Sequence, residues 1–481
     1  MGVVLIFMRI PVIALACAFS ATAICVSSNR EAIFAQASEA NEHRNLTLIQ
    51  VIDLARANYP AIQAAQAQQK AAQGTVGVAR TAYLPRTDLL WQTNRATANN
   101  VYGLLLPQSV IPSISGPVIG SDVSRSAWSS GGAALLSWQP FDFGARSARV
   151  NAAQQGSEAA KQAAALTDLE VSAGASSAFF DLAATHQLVA VAQANVKRIE
   201  AFDQAVHVLV DNTLRPGADA SQADAQLALA RNQLIQAQTQ ETIRRSALSK
   251  YLRSANEQSP EIDASPLFAT LPPSDPDAVK AISHPAVLQE GALVGEQEAQ
   301  KRALDRSYVP VFSTLGAVSG RGVGTVLTGN FPGGSAGLAP DTFNWAAGVQ
   351  VTFSAFDYFG LREQKKVQQA NVQAEHARYN LAIDDISVAI EQARATLAGA
   401  RQVAANTPIE LTAARTSEQQ QQARYRSGLA TVVDVAAAEG VLAQAEGDDA
   451  IARLSVWRAE LGVTVAQGDL QPFLQMLKSQ P

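Results

Sequence analysis

Apolar side chains recur along the chain at two periods, one typical of helices and one typical of strands. The helical period has the 3,4 spacing of a coiled coil at Ile199, Phe202, Val206 and Leu209, and again at Ile383, Ile386, Ile390, Ala393 and Leu397. Proline is absent from 145–212 and from 361–407, so both stretches predict long helices. At 1.5 Å per residue, some 65 helical residues extend about 100 Å. Many positions in this pattern are alanine, which buries little area, so we expect obligate assembly.

A strand period of two appears at Phe343–Ser354. One face carries Phe343, Trp345, Ala347, Val349, Val351 and Phe353, whereas the residues between them are polar or small. One face suits lipid and the other suits water, which is typical of an outer-membrane barrel strand. The pattern predicts membrane-facing side chains at Phe343, Trp345, Val349, Val351 and Phe353. The alternative is a soluble hairpin with one face packed on a core.

Partner strands are predicted at Val311–Ser319 and, with weaker alternation, at Thr87–Arg95 and Ala127–Trp138. The chain thus contains the arrangement twice: Pro60 and Pro85 recur 225 positions later at Pro285 and Pro310. Asp219 and Asp434 are related by a similar shift of 215 positions. Such constant offsets indicate an internal tandem repeat.

The predicted domains follow this repeat. They are a signal peptide at 1–37, a first repeat at 38–253 (strand pair 87–138, long helices 145–253), a Pro-rich linker at 254–280, a second repeat at 281–467 (strand pair 311–354, long helices 361–461) and a C-terminal tail at 468–481. The fold class is mainly α with a β-barrel part. Four strands are fewer than the about eight that close a barrel, so subunits must share strands, and three copies would supply twelve.

The N-terminus predicts export. Residues 1–26 are mostly apolar, with Arg9 as their one charge, and Ala35-Gln36-Ala37 is typical of a signal-peptidase site. Ala21-Thr22-Ala23 is a second candidate cleavage site, and a transmembrane helix is the alternative. Both cysteines, Cys17 and Cys25, lie in this leader, so the mature chain would have no disulfide. No later segment has the 18 or so apolar residues of a membrane helix, which leaves β-strands for any membrane span.

An enzyme is not indicated. The five histidines (His43, His186, His207, His284 and His376) lack the spacing of known metal or catalytic motifs, and each is interpreted as a helix-surface residue. We therefore predict no catalytic residue, no metal and no cofactor. The formal net charge of −5 argues against nucleic acid as a partner.

The segment Arg424–Val435 has the form Y-x-x-G-L-x-T-x-x-D-V. With the two Pro-Ala-Ile/Val helix starts and the two Phe-Asp turns, it resembles the TolC family of outer membrane efflux proteins. The resemblance implies a homotrimer in the bacterial outer membrane, with a long α-helical tunnel in the periplasm. Its implied function is passive export of drugs, metals or other small molecules. Its implied partners are a periplasmic adaptor (membrane fusion) protein, an inner-membrane efflux transporter and outer-membrane lipid.

The same resemblance implies roles at the tunnel tip. Asp434 and Asp219 would form a pore gate, since a ring of carboxylates favours cations. The alternative is that each aspartate caps a helix. The adaptor-docking tip would comprise Gly428, Leu429, Thr431, Tyr425, Arg426 and Gly217. The rival function is a secreted or periplasmic coiled-coil structural or interaction protein without a pore.

Overall fold

A computed structural model describes residues 45–97, 126–253, 261–272, 281–324 and 333–479. The predicted signal peptide at 1–37, both cysteines and most of the predicted linker at 254–280 lie outside these ranges. The same holds for the last two residues of the predicted tail.

Helices and strands alternate in the same order twice within the described residues. They are α1 Leu48–Asn58, α2 Pro60–Thr81, β1 Arg86–Thr97, β2 Ser126–Phe141, α3 Ala145–Asp211, α4 Gly217–Leu252, α5 Ser265–Ala269, α6 Pro285–Asp305, β3 Val311–Val323, β4 Thr342–Thr352, α7 Asp357–Arg426, α8 Val432–Gln467 and α9 Gln471–Lys478. The predicted fold class, mainly helical with four strands in a repeated arrangement, is confirmed. None of the described helices combines the length and the apolar character needed to cross a membrane.

The longest helices are α3, with 67 residues, and α7, with 70 residues. Each extends about 100 Å. The predicted coiled-coil positions Ile199, Val206, Ile390 and Leu397 are buried between helices. Pro408 lies inside α7 without ending it.

The main core lies where α1, α3, α8 and α9 meet. Ile52, Phe179, Phe180 and Trp457 are fully buried there. Helix α9, in the predicted C-terminal tail, adds Phe473, whose ring centroid lies 6.2 Å from that of Trp457. Because burying an aromatic side chain stabilises a fold substantially, the tail is an integral part of the helical core.

The four strands form one antiparallel sheet in the order β1-β2-β3-β4. Strands β1 and β4 therefore each have an unpaired edge within the chain. The register between β2 and β3 is irregular from Trp138 to Phe141, since Pro140 cannot donate a hydrogen bond to the ladder. Strand β4 ends at Thr352, two residues before the predicted end, and the Phe353 ring packs 5.1 Å from that of Tyr308.

Candidate functional site

One face of the sheet is apolar across all four strands. Leu89 pairs with Ala134, Ala134 with Val318, and Val318 with Trp345. Directly opposed residues share a face. By this register the face, here called the apolar sheet face, contains Leu89, Trp91, Leu136, Trp138, Val318, Phe343, Trp345, Val349 and Val351.

The apolar sheet face is open to its surroundings in the single chain. Leu89 is 81% exposed and Trp345 is 79% exposed. The opposite face carries mainly polar and small side chains, including Asp88, Gln92, Asn94, Ser137, Ser319, Asn344 and Gln350. Four of the five predicted membrane-facing residues lie on the apolar face, and Phe353 lies just beyond the end of β4.

Leu89 and Trp91 extend the predicted set and were missed from the sequence. Their alternation with Asp88, Leu90 and Gln92 was the available signal. The opposed strand offers small residues such as Gly132, which pairs with Trp91. Because β2 has small residues opposite these side chains, the sequence of β2 does not reveal the apolar face until the register between the strands is known.

The helical end opposite the sheet carries two equivalent turns, α3–α4 and α7–α8. The Leu214 N–H donates to the Leu209 carbonyl at 2.8 Å, and the Leu429 N–H donates to the Arg424 carbonyl at 2.8 Å. This bond between a residue and the fifth before it closes a Schellman turn. The two leucines are also similarly exposed, at 69% and 70%. Leu214 is the counterpart of the predicted Leu429, and the shift of 215 positions could have identified it.

Both turns require a left-handed residue just before the leucine. Gly428 has φ +75°, and its counterpart Thr213 has φ +60°. Glycine adopts this conformation without cost, whereas a β-branched residue is strained there. The first turn therefore contains strain that the second lacks.

The two predicted gate aspartates occupy corresponding positions, each the third residue of its helix. The Asp434 carboxylate accepts hydrogen bonds at 2.8 Å from both the N–H and the hydroxyl of Thr431, whose side chain caps α8. These bonds lower the pKa of Asp434. Asp219 instead lies 4.0 Å from Arg215 Nη1. Neither aspartate is itself the N-cap residue, since Pro216 and Thr431 occupy those positions.

Arg215 connects the two turns. Its Nη2 donates to the Tyr425 carbonyl at 2.6 Å, and its guanidinium lies 4.5 Å from the centroid of the Tyr425 ring. The Tyr425 side chain is buried and packs against Phe202 at a centroid distance of 5.2 Å. Tyr425, predicted as part of the docking tip, thus lies inside the contact between the turns. The other predicted tip residues are all exposed. Gly428, Leu429, Arg426 and Thr431 lie at the second turn, whereas Gly217 begins α4 at the first turn.

Farther from the turns, the buried Glu439 and the half-buried Glu446 contact Arg198. Its Nε donates to Glu439 at 3.1 Å and its Nη2 to Glu446 at 2.9 Å. Glu439 also accepts a bond from Gln422 at 3.2 Å. Burial, and then the negative charge of Glu439, raise the pKa of Glu418, which hydrogen-bonds to Glu439.

Comparisons with known proteins agree with this architecture. A family model described as outer membrane efflux protein matches residues 51–252 and 283–469. No curated protein sequence matches the chain.

Several solved structures have a similar fold. CusC, whose structures are described in terms of transmembrane channel formation, has 12% sequence identity and a TM-score of 0.74, with 89% of this chain and 96% of CusC covered. VceC, an outer membrane protein of Vibrio cholerae, has 19% identity and a TM-score of 0.71, with 88% and 96% covered. The open state of the MtrE outer membrane channel of Neisseria gonorrhoeae has 19% identity and a TM-score of 0.70, with 88% and 89% covered.

Proposed function

Because this chain belongs to the outer membrane efflux protein family, we propose that three copies assemble into one export channel through the bacterial outer membrane. The helical part would extend into the periplasm as a tunnel. The observation that carries the proposal is the sheet, which combines two unpaired edges with a continuous apolar face.

Both features require partners. Strands β1 and β4, with 12 and 11 residues, leave long rows of backbone groups unpaired, and long exposed edges promote pairing with another chain. Pairing β4 of one copy with β1 of the next would satisfy both edges. Three copies would close twelve strands, with the apolar sheet face toward lipid and the polar face toward the lumen.

Disulfide trapping tests the pairing directly. The only cysteines of the sequence are Cys17 and Cys25, in the predicted leader, so introduced cysteines would be the only thiols of the mature chain. We would combine Asp88→Cys or Gln92→Cys in β1 with Asn344→Cys or Gln350→Cys in β4, because all four residues lie on the face opposite the apolar sheet face. The expected result is a cross-linked trimer on a denaturing gel for at least one pair, and none for single cysteines. A monomeric, detergent-independent protein without bilayer conductance would instead favour the coiled-coil scaffold.

The proposed gate is formed by Asp219 and Asp434. If the turns surround the tunnel axis, three copies place six carboxylates near its narrow end, where they favour cations. Asp434→Asn is the informative variant because asparagine removes the charge while its amide oxygen can still accept the bonds from Thr431. We expect reduced cation preference in planar bilayers, with Asp384→Asn on the exposed surface of α7 as the control. Unchanged selectivity in both Asp434→Asn and Asp219→Asn would leave the channel but reject the gate.

The proposed adaptor contact is the pair of turns. Leu214 and Leu429 present exposed apolar side chains, flanked by Arg426, and the left-handed Gly428 and the Thr431 cap set the shape of the second turn. Tyr425 would act by positioning, since its side chain is buried. We expect Leu214→Ser with Leu429→Ser to abolish adaptor binding and export without altering bilayer conductance. Leu381→Ser, at an exposed leucine far from the turns, is the control. Normal adaptor binding by the double variant would reject the contact.

The proposed partners are therefore a periplasmic adaptor and an inner-membrane transporter that drives export of small solutes. A passive channel needs no catalytic residue. In accordance with this, family members are described as efflux proteins.

A further inference from the structure

A second polar cluster lies near the first turn, between α3 and α4. Asp203 and His207 are one helical turn apart on α3, and Asp224 faces them from α4. Asp203 and His207 lie 8 and 4 residues before the end of α3 at Asp211, so the cluster is about 6–12 Å from the turn. Within the described ranges, no other group of three histidine, cysteine, aspartate or glutamate side chains has ligand atoms this close together.

The spacing of these atoms suits a metal ion. His207 Nε2 lies 3.2 Å from Asp224 Oδ1 and 3.8 Å from Asp203 Oδ1, and all three ligand atoms lie within 4.8 Å of one another. Ligands about 2.1 Å from a tetrahedral zinc ion are separated from each other by about 3.4 Å. Small side-chain adjustments would therefore place all three atoms on one ion.

Asp203 is the independent indication that something is bound. The residue is only 8% exposed, and its Oδ1 has no hydrogen-bond partner among the described residues. Burying a carboxylate oxygen without a hydrogen-bond partner destabilises the folded state. This oxygen faces His207 Nε2, which at 3.8 Å is too far away to donate a hydrogen bond. A cation between the two side chains would compensate Asp203 and leave Asp224 as the third ligand.

The ligand types restrict the metal. An imidazole with two carboxylates is suited to Zn²⁺ and other divalent transition-metal ions. The cluster contains no sulfur, which Cu⁺ prefers, and too few oxygens for the six to eight ligands of Ca²⁺. Three protein ligands leave a position for water.

We propose that Asp203, His207 and Asp224 form a binding site for one divalent transition-metal ion, which connects α3 to α4 close to the tunnel tip. The site lies within a single chain, so the proposal is independent of channel assembly. It departs from the sequence-based interpretation of His207 as a helix-surface residue without a ligand role.

Zn²⁺ binding to the full mature protein, without a histidine tag, tests the site. We expect calorimetry and elemental analysis to give one Zn²⁺ per chain, and bound Zn²⁺ to raise the unfolding temperature. Asp203→Asn and His207→Gln each remove a ligand with little change in shape. Because loss of outer-shell partners alone costs 10–100-fold in affinity, we expect losses of about 100-fold or more.

A matched control lies farther along the same helix, 21 residues before His207. His186 on α3 also contacts a carboxylate of α4, with its Nδ1 3.0 Å from Glu241, but there Arg245 already pairs with that carboxylate at 2.7 Å. His186→Gln should therefore leave Zn²⁺ binding unchanged.

Co²⁺ provides an independent readout, since coordination by these residues should give an intense visible absorption that the hydrated ion lacks. Failure of the folded wild-type protein to bind Zn²⁺ would overturn the proposal. Equal Zn²⁺ affinity of the wild type and a folded Asp203→Asn variant would overturn it as well.

Discussion

Arg215→Ala is expected to release the contact between the two turns and to favour the open channel. The substitution removes the 2.6 Å hydrogen bond to the Tyr425 carbonyl and the guanidinium stacked 4.5 Å from the Tyr425 ring. The contact with Asp219, at 4.0 Å, is too long to contribute much. The α3–α4 turn would then be free to move away from the end of α7.

The magnitude follows from the hydrogen bond. A bond to a charged group contributes about 1.5–3 kcal/mol, and the arginine–ring contact adds to it where it is desolvated. We take the contact to contribute about 2 kcal/mol and to form only when the tip is closed. Since 1.4 kcal/mol corresponds to a factor of ten, its loss changes the open-to-closed ratio about 30-fold per subunit.

The assay is the fraction of time that single channels spend open in a planar bilayer. Arg215→Lys retains a charge but lacks the planar guanidinium, so we expect an intermediate effect. Arg426→Ala, which removes an exposed arginine at the end of α7, is the control. Equal open fractions for Arg215→Ala and wild type, with correctly assembled trimers, would refute the idea that this contact holds the tip closed.

Three further predictions concern stability. Burial and a neighbouring carboxylate raise the pKa of Glu418 in the folded protein. Protonated Glu418 therefore contributes stability that is fully present below about pH 4.3, the pKa of an unperturbed glutamate, and is lost as the pH rises through the raised pKa. Glu418→Gln should flatten this pH dependence in thermal unfolding. Thr213→Gly should stabilise the protein by about 1 kcal/mol and Gly428→Ala destabilise it similarly, because both positions are left-handed; denaturant unfolding measures this, and equal stabilities would contradict it. Trp345→Lys should cost about 2–4 kcal/mol in lipid, measured by folding into liposomes, whereas Asn344→Lys on the polar face should fold normally.

The sequence predicted those features that depend on local period or on the repeat. The 3,4 spacing around Ile199 and Ile390 predicted the long helices. The alternation of Phe343 and Trp345 predicted the apolar face of β4. In each case neighbours along the chain carry the signal, so no knowledge of the register between elements is required.

Features that depend on register were not predicted. Leu89 and Trp91 belong to the apolar sheet face because of their alignment with β2, β3 and β4, and small residues in β2 conceal that alignment in the sequence. The cluster of Asp203, His207 and Asp224 likewise depends on how two elements, α3 and α4, are aligned with each other. Only the spacing of Asp203 and His207 is local, and the length of the turn determines that Asp224 faces them.

The two turns differ in how they are stabilised, and from this difference we expect the first turn to move more readily than the second. The second turn is stabilised by its own residues, through Gly428 in an unstrained left-handed conformation and the reciprocal hydrogen bonds of Thr431 with Asp434. The first turn contains the strained Thr213 and begins its second helix after Pro216, which makes no side-chain cap.

Beyond its own backbone hydrogen bonds, the first turn therefore depends more than the second on contacts outside itself, including the 2.6 Å bond from Arg215 to Tyr425. Loss of that contact should mobilise the α3–α4 turn more than the α7–α8 turn. Hydrogen exchange should show this asymmetry, with Leu214 N–H losing protection in Arg215→Ala while Leu429 N–H keeps it. Equal loss at both turns would mean that the tip moves as one unit, and the strain at Thr213 would then have no separate mechanical consequence.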